Sequence, residues 1–195
     1  MINLIFFNAT RDTGYLKPRS IKKMSDDFEV IKQLGKDGAQ GVVYLVEFPN
    51  RLRVAMKQFK PTKSPARIQV EADFQSAAAD AGIAPEVMHV DLENKRIFME
   101  PMQCRLVDVL KTSNKRFEED LYHIMQTLDK IDILHNDGNA LNLMLNSRDE
   151  LQIIDFGLSK KIDKKLRKKW GEFPNKKVTL FMMKKELKKY NIHIK

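Results

Sequence analysis

Two short stretches decide how this chain folds, HNDGNALN at residues 135–142 and IIDFG at residues 153–157. Asp137 and Asn142 lie five positions apart on an apparent loop between a helix and a strand. Asp155 follows the strand that returns after that loop. This order brings two carboxylates and one amide to the same end of a small predicted hairpin.

The hairpin itself is predicted from two short apolar runs, at 143–145 and 151–154, around a polar turn at 146–149. Carboxylate and amide oxygens at its end suit Mg²⁺, which takes few protein ligands and completes its shell with phosphate and water. The remaining carboxylate can accept a proton from an attacking hydroxyl. The alternative is an Asn- and Asp-rich loop whose side chains cap the local backbone.

Upstream, a glycine-punctuated segment separates two β-branched and aromatic runs. The sequence predicts strands over 28–34 and 42–48, the turn GKDGAQG at 35–41, and a third strand over 52–59, which together form an antiparallel meander. A glycine-rich turn lets backbone N–H groups approach a phosphate closely, because no Cβ intrudes. Taken alone, such a segment is more often a plain turn.

Lys57 lies in an otherwise apolar strand, 16 residues after Gly41. From there it can point beneath the glycine turn at phosphate oxygens. Glu71 lies on an alanine-rich helix predicted over 66–81, where it could pair with Lys57. Each residue alone is an ordinary surface charge, so the hypothesis depends on their combination.

The remaining pattern predicts a mixed chain with a helical second half. Further strands are predicted over 87–90 and 96–99, and helices over 106–111, 117–133, 160–171 and 179–190, the last two separated by Pro174 and Asn175.

Composition limits the class of protein. The chain has 195 residues, of which 43% are hydrophobic and 31% charged, a globular balance. Cys104 is the only cysteine, which excludes an intrachain disulfide and a zinc site built on several cysteines. No apolar run is long enough for a membrane span, so we expect an intracellular, cytoplasmic protein. Residues 1–24 are expected to form an extended arm.

The positive charge is concentrated in a basic tail, defined here as residues 160–195. Residues 156–195 hold 14 basic and 3 acidic residues, whereas the preceding 155 residues have a net charge of −2. Such a segment can bind nucleic acid, an acidic membrane surface or an acidic protein. It can equally be a pair of solvated lysine-rich helices.

Taken in order, these residues resemble the protein kinase-like superfamily. The order is the glycine turn, VAMK at 54–57, a helix glutamate, His-x-Asp-x-x-x-x-Asn, and Asp-Phe-Gly. The resemblance covers about residues 28–158. It implies an α+β, bilobal fold: a five-stranded antiparallel N-lobe with one helix over 25–100, a reduced, mostly helical C-lobe over 101–159, and the basic tail completing that lobe.

The resemblance also implies a role for each site residue. Asp137 would be the catalytic base, Lys57 would bind the α- and β-phosphates of ATP with Glu71 orienting it, and Asn142 and Asp155 would hold Mg²⁺. His135 would brace the catalytic loop. Gly35, Gly38 and Gly41 would cover the triphosphate. Met99 would be the gatekeeper, and Glu100 and Met102 would bind adenine through backbone hydrogen bonds. The other residues that would surround adenine are Leu34, Val43 and Ala55.

The chain departs from the usual kinase pattern at several points. The glycine turn has one extra residue between its first two glycines, and Asn136 and Asn139 stand where protein kinases usually have arginine and lysine. Without that arginine, control by a phosphorylated activation loop is not expected. Only 38 residues follow Gly157, without an Ala-Pro-Glu sequence. In this respect the chain is similar to minimal kinases of large DNA viruses, to bacterial effectors and to RIO-type atypical kinases.

The resemblance favours an ATP-dependent serine/threonine protein kinase that acts on a protein substrate. One alternative is a small-molecule phosphotransferase of the choline-kinase type, because His-Asn-Asp also occurs there. The other is a nucleotide-binding pseudokinase that docks a partner through its basic tail.

Overall fold

The amino-terminal half is a five-stranded antiparallel sheet with one helix, as the sequence predicts. The computed structural model describes residues 27–194, so the expected arm at 1–24 lies outside the described residues. The strand order is β1-β2-β3-β5-β4. These strands are β1 Glu29–Leu34, β2 Gly41–Glu47, β3 Arg53–Phe59, β4 Val87–Asp91 and β5 Arg96–Met99.

Helix α1, Pro65–Asp80, crosses between β3 and β4. It begins where the Ser64 side chain accepts a hydrogen bond from the backbone of Arg67, and proline at the first helical position suits the geometry there. It ends before Gly82, whose φ of +78° favours glycine. Ile68 and Ala72 bury one face in the apolar cluster of the sheet, and this fixes Glu71 beside β3.

The carboxy-terminal half is mostly helical around a small sheet of order β6-β8-β9 and a two-stranded pair, β7 with β10. Its strands are β6 Cys104–Arg105, β7 Ile133–Leu134, β8 Leu143–Leu145, β9 Leu151–Ile153 and β10 Lys160–Lys161. Its helices are α2 Leu106–Val109, α3 Lys115–Lys130, α4 Lys164–Trp170, α5 Pro174–Lys177 and α6 Thr179–Lys188.

Four predicted helices were wrong in their extent. Those predicted over 106–111 and 179–190 end two residues early, at Val109 and Lys188, and the other two differ more. The helix predicted over 117–133 ends at Lys130, because Asp132 adopts φ +58° and the chain turns into β7. The helix predicted over 160–171 begins only at Lys164, after the Asp163 side chain accepts a hydrogen bond from the backbone of Leu166. The two preceding lysines pair with β7 instead.

The segment at Pro174 and Asn175, predicted as a separator, is a helical turn of its own. Proline fixes φ near the helical value and lacks only an N–H that a first turn leaves unpaired, so it favours a helix start. The prediction treated proline as a breaker and was wrong here.

The basic tail supplies part of the core of the carboxy-terminal half. Leu180, Met183, Leu187 and Ile192 are each 2% exposed or less and pack in one cluster with the apolar face of α3. Its lysines lie largely on the outer surface. Within residues 27–194, no helix is long and apolar enough to cross a membrane.

Candidate active site

Lys57 stands at the centre of the site, on β3, where only 8% of it is exposed. Its Nζ lies 2.6 Å from Glu71 Oε1 and 2.9 Å from Asp155 Oδ1. Helix α1 supplies Glu71, and the segment that follows β9 supplies Asp155. The fold thus joins residues 57, 71 and 155 in one ion-paired group between the two halves of the molecule.

Both members of the Lys57–Asp155 pair are held in their charged forms. Burial alone would lower the pKa of Lys57, but the charges of Asp155 and Glu71 outweigh it and raise that pKa. Burial alone would raise the pKa of Asp155, yet the charge and hydrogen bond of Lys57 leave that pKa below its usual value. The Lys57–Asp155 pair therefore keeps its charges at neutral pH.

The backbone at Asp155 turns sharply to present its carboxylate. Its φ of +66° lies in the left-handed region, which non-glycine residues adopt at a cost. The next residue, Phe156, is 1% exposed and meets the His135 ring edge-on at 5.0 Å. The buried phenyl ring anchors the turn and keeps Asp155 at the site.

His135 braces the loop from beneath and is fully buried. Its Nδ1 lies 3.0 Å from the carbonyl oxygen of Asp137 and its Nε2 lies 3.0 Å from that of Ile154. Burial lowers the pKa of His135 more than its hydrogen bonds and the nearby carboxylates raise it. The neutral ring has one N–H, which donates to one of these carbonyls at a time.

Asp137, the predicted base, is half-buried on the same loop. Its Oδ1 accepts a hydrogen bond from the backbone of Asn139 at 3.1 Å. The Asn139 side chain in turn caps the 3-10 turn Ala140–Asn142. A carboxylate has room for about four hydrogen bonds, so Asp137 keeps acceptor capacity for a substrate proton.

Asn142 and Asp155 fit a magnesium site. The carbonyl oxygen of Asn142 accepts a hydrogen bond from the backbone of Ile154 at 2.9 Å, which fastens it one residue from Asp155. Asn142 is 6% exposed, and within residues 27–194 its side-chain nitrogen has no hydrogen-bond partner. That nitrogen carries hydrogens and does not bind a cation, so Mg²⁺ here would be held by the side-chain oxygen of Asn142 and the carboxylate of Asp155, which are the oxygen donors that suit this ion.

No group of three or more His, Cys, Asp and Glu side chains in residues 27–194 could hold a metal ion on its own. An ion at Asn142 and Asp155 would therefore rely on oxygens from outside the chain. Phosphate and water commonly supply such ligands to Mg²⁺.

The predicted adenine-facing residues lie together on the sheet. Leu34, Val43, Ala55 and Met99 belong to one apolar cluster. The backbone N–H of Glu100 donates to the Glu86 carbonyl at 2.9 Å. Of the two Glu100 backbone groups, the carbonyl is therefore the one that can form a hydrogen bond with a nucleotide. Met102 is half-buried beyond the end of β5.

Two of the three predicted loop glycines have a clear local reason. Gly35 adopts φ +83°, which favours glycine. At Gly41, a Cβ would lie 2.2 Å from the backbone oxygen of Gln58 on β3, so only glycine allows the turn to close on the sheet. The N–H of Gly38 donates to the Gly41 carbonyl at 2.9 Å and tightens the turn between them.

The basic tail also contributes to the site, in a way that the sequence did not predict. Asn175, fully buried, accepts a hydrogen bond from the His135 backbone at 3.0 Å and donates to the Ile133 carbonyl and Asp129 Oδ1, each at 2.7 Å. The Thr179 hydroxyl accepts a hydrogen bond from the Asn136 backbone at 3.2 Å. Nothing in the sequence around 175 distinguishes this asparagine from a turn residue.

Helix α6 also packs directly against the loop that carries Asp137. A Cβ on Gly138 would lie 2.2 Å from Met182 Cβ and 2.7 Å from the backbone nitrogen of Met183. Only a glycine beside Asp137 allows this close approach. The tail therefore shapes the loop through packing as well as hydrogen bonds.

Comparison with known proteins points to kinases. The chain is 26% identical over 162 residues to an extracellular signal-regulated kinase 1 of Candida albicans, a match that covers 74% of this chain and 39% of that protein. It is 28% identical over 183 residues to a probable bifunctional tRNA threonylcarbamoyladenosine biosynthesis protein of Methanobrevibacter smithii, covering 92% and 31%. It is 26% identical over 181 residues to the serine/threonine-protein kinase SSN3 of Gibberella moniliformis, covering 80% and 39%.

No family model matches the chain. The chain spans less than half the length of these curated relatives. Fold, motif order and relatives together support the protein kinase-like superfamily for this chain.

Proposed function

We propose that the chain is an ATP-dependent serine/threonine protein kinase that transfers the γ-phosphate of ATP to a protein hydroxyl. The observation that carries the proposal is the buried group of Lys57, Glu71 and Asp155, with ion-pair distances of 2.6 and 2.9 Å. Such a group has little reason to be buried for stability alone, because desolvating paired charges costs about as much as their attraction returns.

Lys57 would hold the α- and β-phosphates, with Glu71 fixing the position of its ammonium group. Asp137 would accept the proton of the attacking hydroxyl as its oxygen bonds to the γ-phosphorus and the bond to the ADP oxygen breaks. Catalysis of this kind depends mostly on positioning and on charge stabilisation, and both require a rigid catalytic loop. His135 and Asn175 supply that rigidity, because the His135 ring contacts the Asp137 carbonyl and Asn175 accepts a hydrogen bond from the His135 backbone.

Asn142 and Asp155 would hold Mg²⁺, which neutralises phosphate charge when bound. The left-handed turn at Asp155 supports this role, since strained backbone persists where the surrounding structure enforces it. The carboxylate remains ionised because Lys57 lies beside it.

A protein acceptor is favoured over a small molecule by the names of the kinase relatives and by Asp-Phe-Gly in place of a bare Asp-Phe. Asn136 donates its side-chain amide to the Leu158 carbonyl, where other protein kinases would present an arginine to a phosphate. The proposed enzyme therefore works without a phosphorylated activation loop.

The test is transfer from labelled ATP with Mg²⁺ to a panel of proteins and, in parallel, to free hydroxyl metabolites. We expect labelled protein on serine or threonine and no labelled metabolite. Label on a metabolite alone would identify the small-molecule alternative. Nucleotide binding without any transfer would favour the alternative of a pseudokinase that docks a partner through its basic tail, and the kinase proposal would be wrong.

A further inference from the structure

A second lysine, Lys63, reaches the same carboxylate as Lys57. It follows β3 in the connection to α1, and its side chain is 12% exposed. Its Nζ lies 3.1 Å from Glu71 Oε2, while Lys57 holds Oε1 of the same carboxylate. The motif order assigns no role to this lysine.

The charges of the four side chains balance only when Lys63 is counted. Lys57 and Lys63 carry two positive charges, and Glu71 and Asp155 carry two negative ones. Without Lys63 the group would have a net negative charge, and an anionic phosphate would approach it against repulsion.

Lys63 also holds the end of the glycine turn that leads into β2. Its Nζ donates a hydrogen bond to the side-chain oxygen of Gln40, the residue before the last glycine of that turn. The Gln40 carboxamide in turn lies over Gly157, where an added Cβ would come within 2.4 Å of it. One side chain thus connects the glycine turn to β3, α1 and the segment after Asp155.

We propose that Lys63 is a positioning residue of the phosphate site, which holds the glycine turn closed over the phosphates through Gln40. The proposal rests on the nucleotide site of the proposed function and adds a residue to it. Lys63 acts through Gln40 and Glu71. We call the Lys63–Gln40 contact the latch. Loss of the latch should weaken the binding of ligands that carry phosphates and should not change the binding of ligands without them.

The experiment measures dissociation constants for Mg·ATP and for adenosine by calorimetry on the full chain. The variants are Lys63→Met, Gln40→Ala and their double mutant, with Lys63→Arg as the conservative replacement. Lys60→Met is the matched control, because Lys60 is exposed in the same connection. Thermal denaturation of each variant reports whether it is folded.

We expect each single variant to weaken Mg·ATP binding about tenfold, the size expected for one hydrogen bond to a charged group, and to leave adenosine binding within about twofold. The double mutant should be no weaker than the worse single variant, because both changes break the same contact. Lys63→Arg should retain most of the affinity, and Lys60→Met should match the wild type.

An unchanged ratio of ATP to adenosine affinity in Lys63→Met or Gln40→Ala would overturn the latch, as would effects that multiply in the double mutant. A wild-type protein that binds neither ligand would remove the nucleotide site and the latch with it. A wild type that binds ATP but transfers no phosphate would overturn the proposed kinase activity alone, and the latch would still be decided by the binding data.

Discussion

The sheet and the basic tail both carry lysines, but they use them in opposite ways. Lys57 is 8% exposed on β3 and makes two ion pairs, whereas Lys185 and Lys188 on α6 lie on the outer surface. In the tail, the structural role falls to the residues between the lysines, Leu180, Met183 and Leu187, which line the buried face of α6. A segment with high charge can therefore be an integral part of a core.

The largest effect should follow removal of the tail, residues 160–195. Truncating a large buried side chain costs about 2–5 kcal/mol, and four such side chains together approach or exceed a typical domain stability of about 5–15 kcal/mol. We expect the truncated chain to lose cooperative thermal unfolding in circular dichroism. A cooperative transition near that of the full chain would contradict the packing of the tail in the core.

Asn175→Leu should have the next largest effect. It leaves the backbone N–H of His135 and the carbonyl of Ile133 without their present partners, and a buried unpaired group costs about 1–3 kcal/mol. We expect a loss of at least about 2 kcal/mol in denaturant unfolding, together with a lower kcat at unchanged KM for ATP. Thr179→Val, which removes one hydroxyl acceptor, should give a smaller loss; an equal or larger loss would place the main anchor at Thr179.

Acid should destabilise the protein in two steps, because two groups at the site have lowered pKa values when folded. The pKa of His135 lies below its ordinary 6.5, so below about pH 6.5 the unfolded chain binds a proton that the folded one rejects. Asp155, lowered from 3.8, stabilises the fold above that value and loses its contribution as pH falls through its folded pKa.

Urea unfolding between pH 7.5 and pH 4.5 measures the first step. His135→Gln should flatten the fall in stability between pH 7 and pH 5.5, although it lowers stability at every pH. The matched control is His123→Gln, on the exposed face of α3, which should keep the wild-type slope. An unchanged slope in His135→Gln would locate the acid sensitivity elsewhere.

The smallest effect on stability should come from the exposed tail lysines. Changing Lys165, Lys168 and Lys188 to glutamine should alter stability by no more than about 0.5 kcal/mol each, since exposed substitutions usually fall in that range.

If the tail binds an acidic protein or a nucleic acid, the same variants should weaken that binding and reduce its salt dependence. A large drop in melting temperature would show that these charges support the fold. These variants test docking better than truncation, which removes the core.

The sequence predicted the half of the site that short motifs define. The meander of β1 to β3 follows from strand periodicity, and the order of the motifs suggested the Lys57–Glu71 pair. The contact of Asp155 with Lys57 was not predicted, because it depends on how the two halves of the molecule pack. The role of Asn175 was not predicted either, because its hydrogen bonds reach residues 40 or more positions away. Lys63 was missed for a similar reason, since only the position of α1 brings it to Glu71.

Sequence periodicity also could not predict that α3 ends at residue 130 or that α4 begins at residue 164. Apolar spacing continues through Ile133, and lysine favours a helix as readily at 160 as at 164. The antiparallel pairing of β7 with β10 decides both boundaries, and it is a tertiary contact.

Labelled-ATP transfer by wild type and Asp137→Ala shows whether this site transfers phosphate and whether Asp137 is its base. Both proteins are incubated with Mg²⁺, alone and with a generic protein substrate, after thermal denaturation shows that both are folded. We expect transfer by wild type and a loss of about 10²–10⁴-fold in Asp137→Ala, the range for removal of a general base. Undiminished transfer by Asp137→Ala would contradict the assignment of the base, and no transfer by the folded wild type would contradict the kinase activity itself.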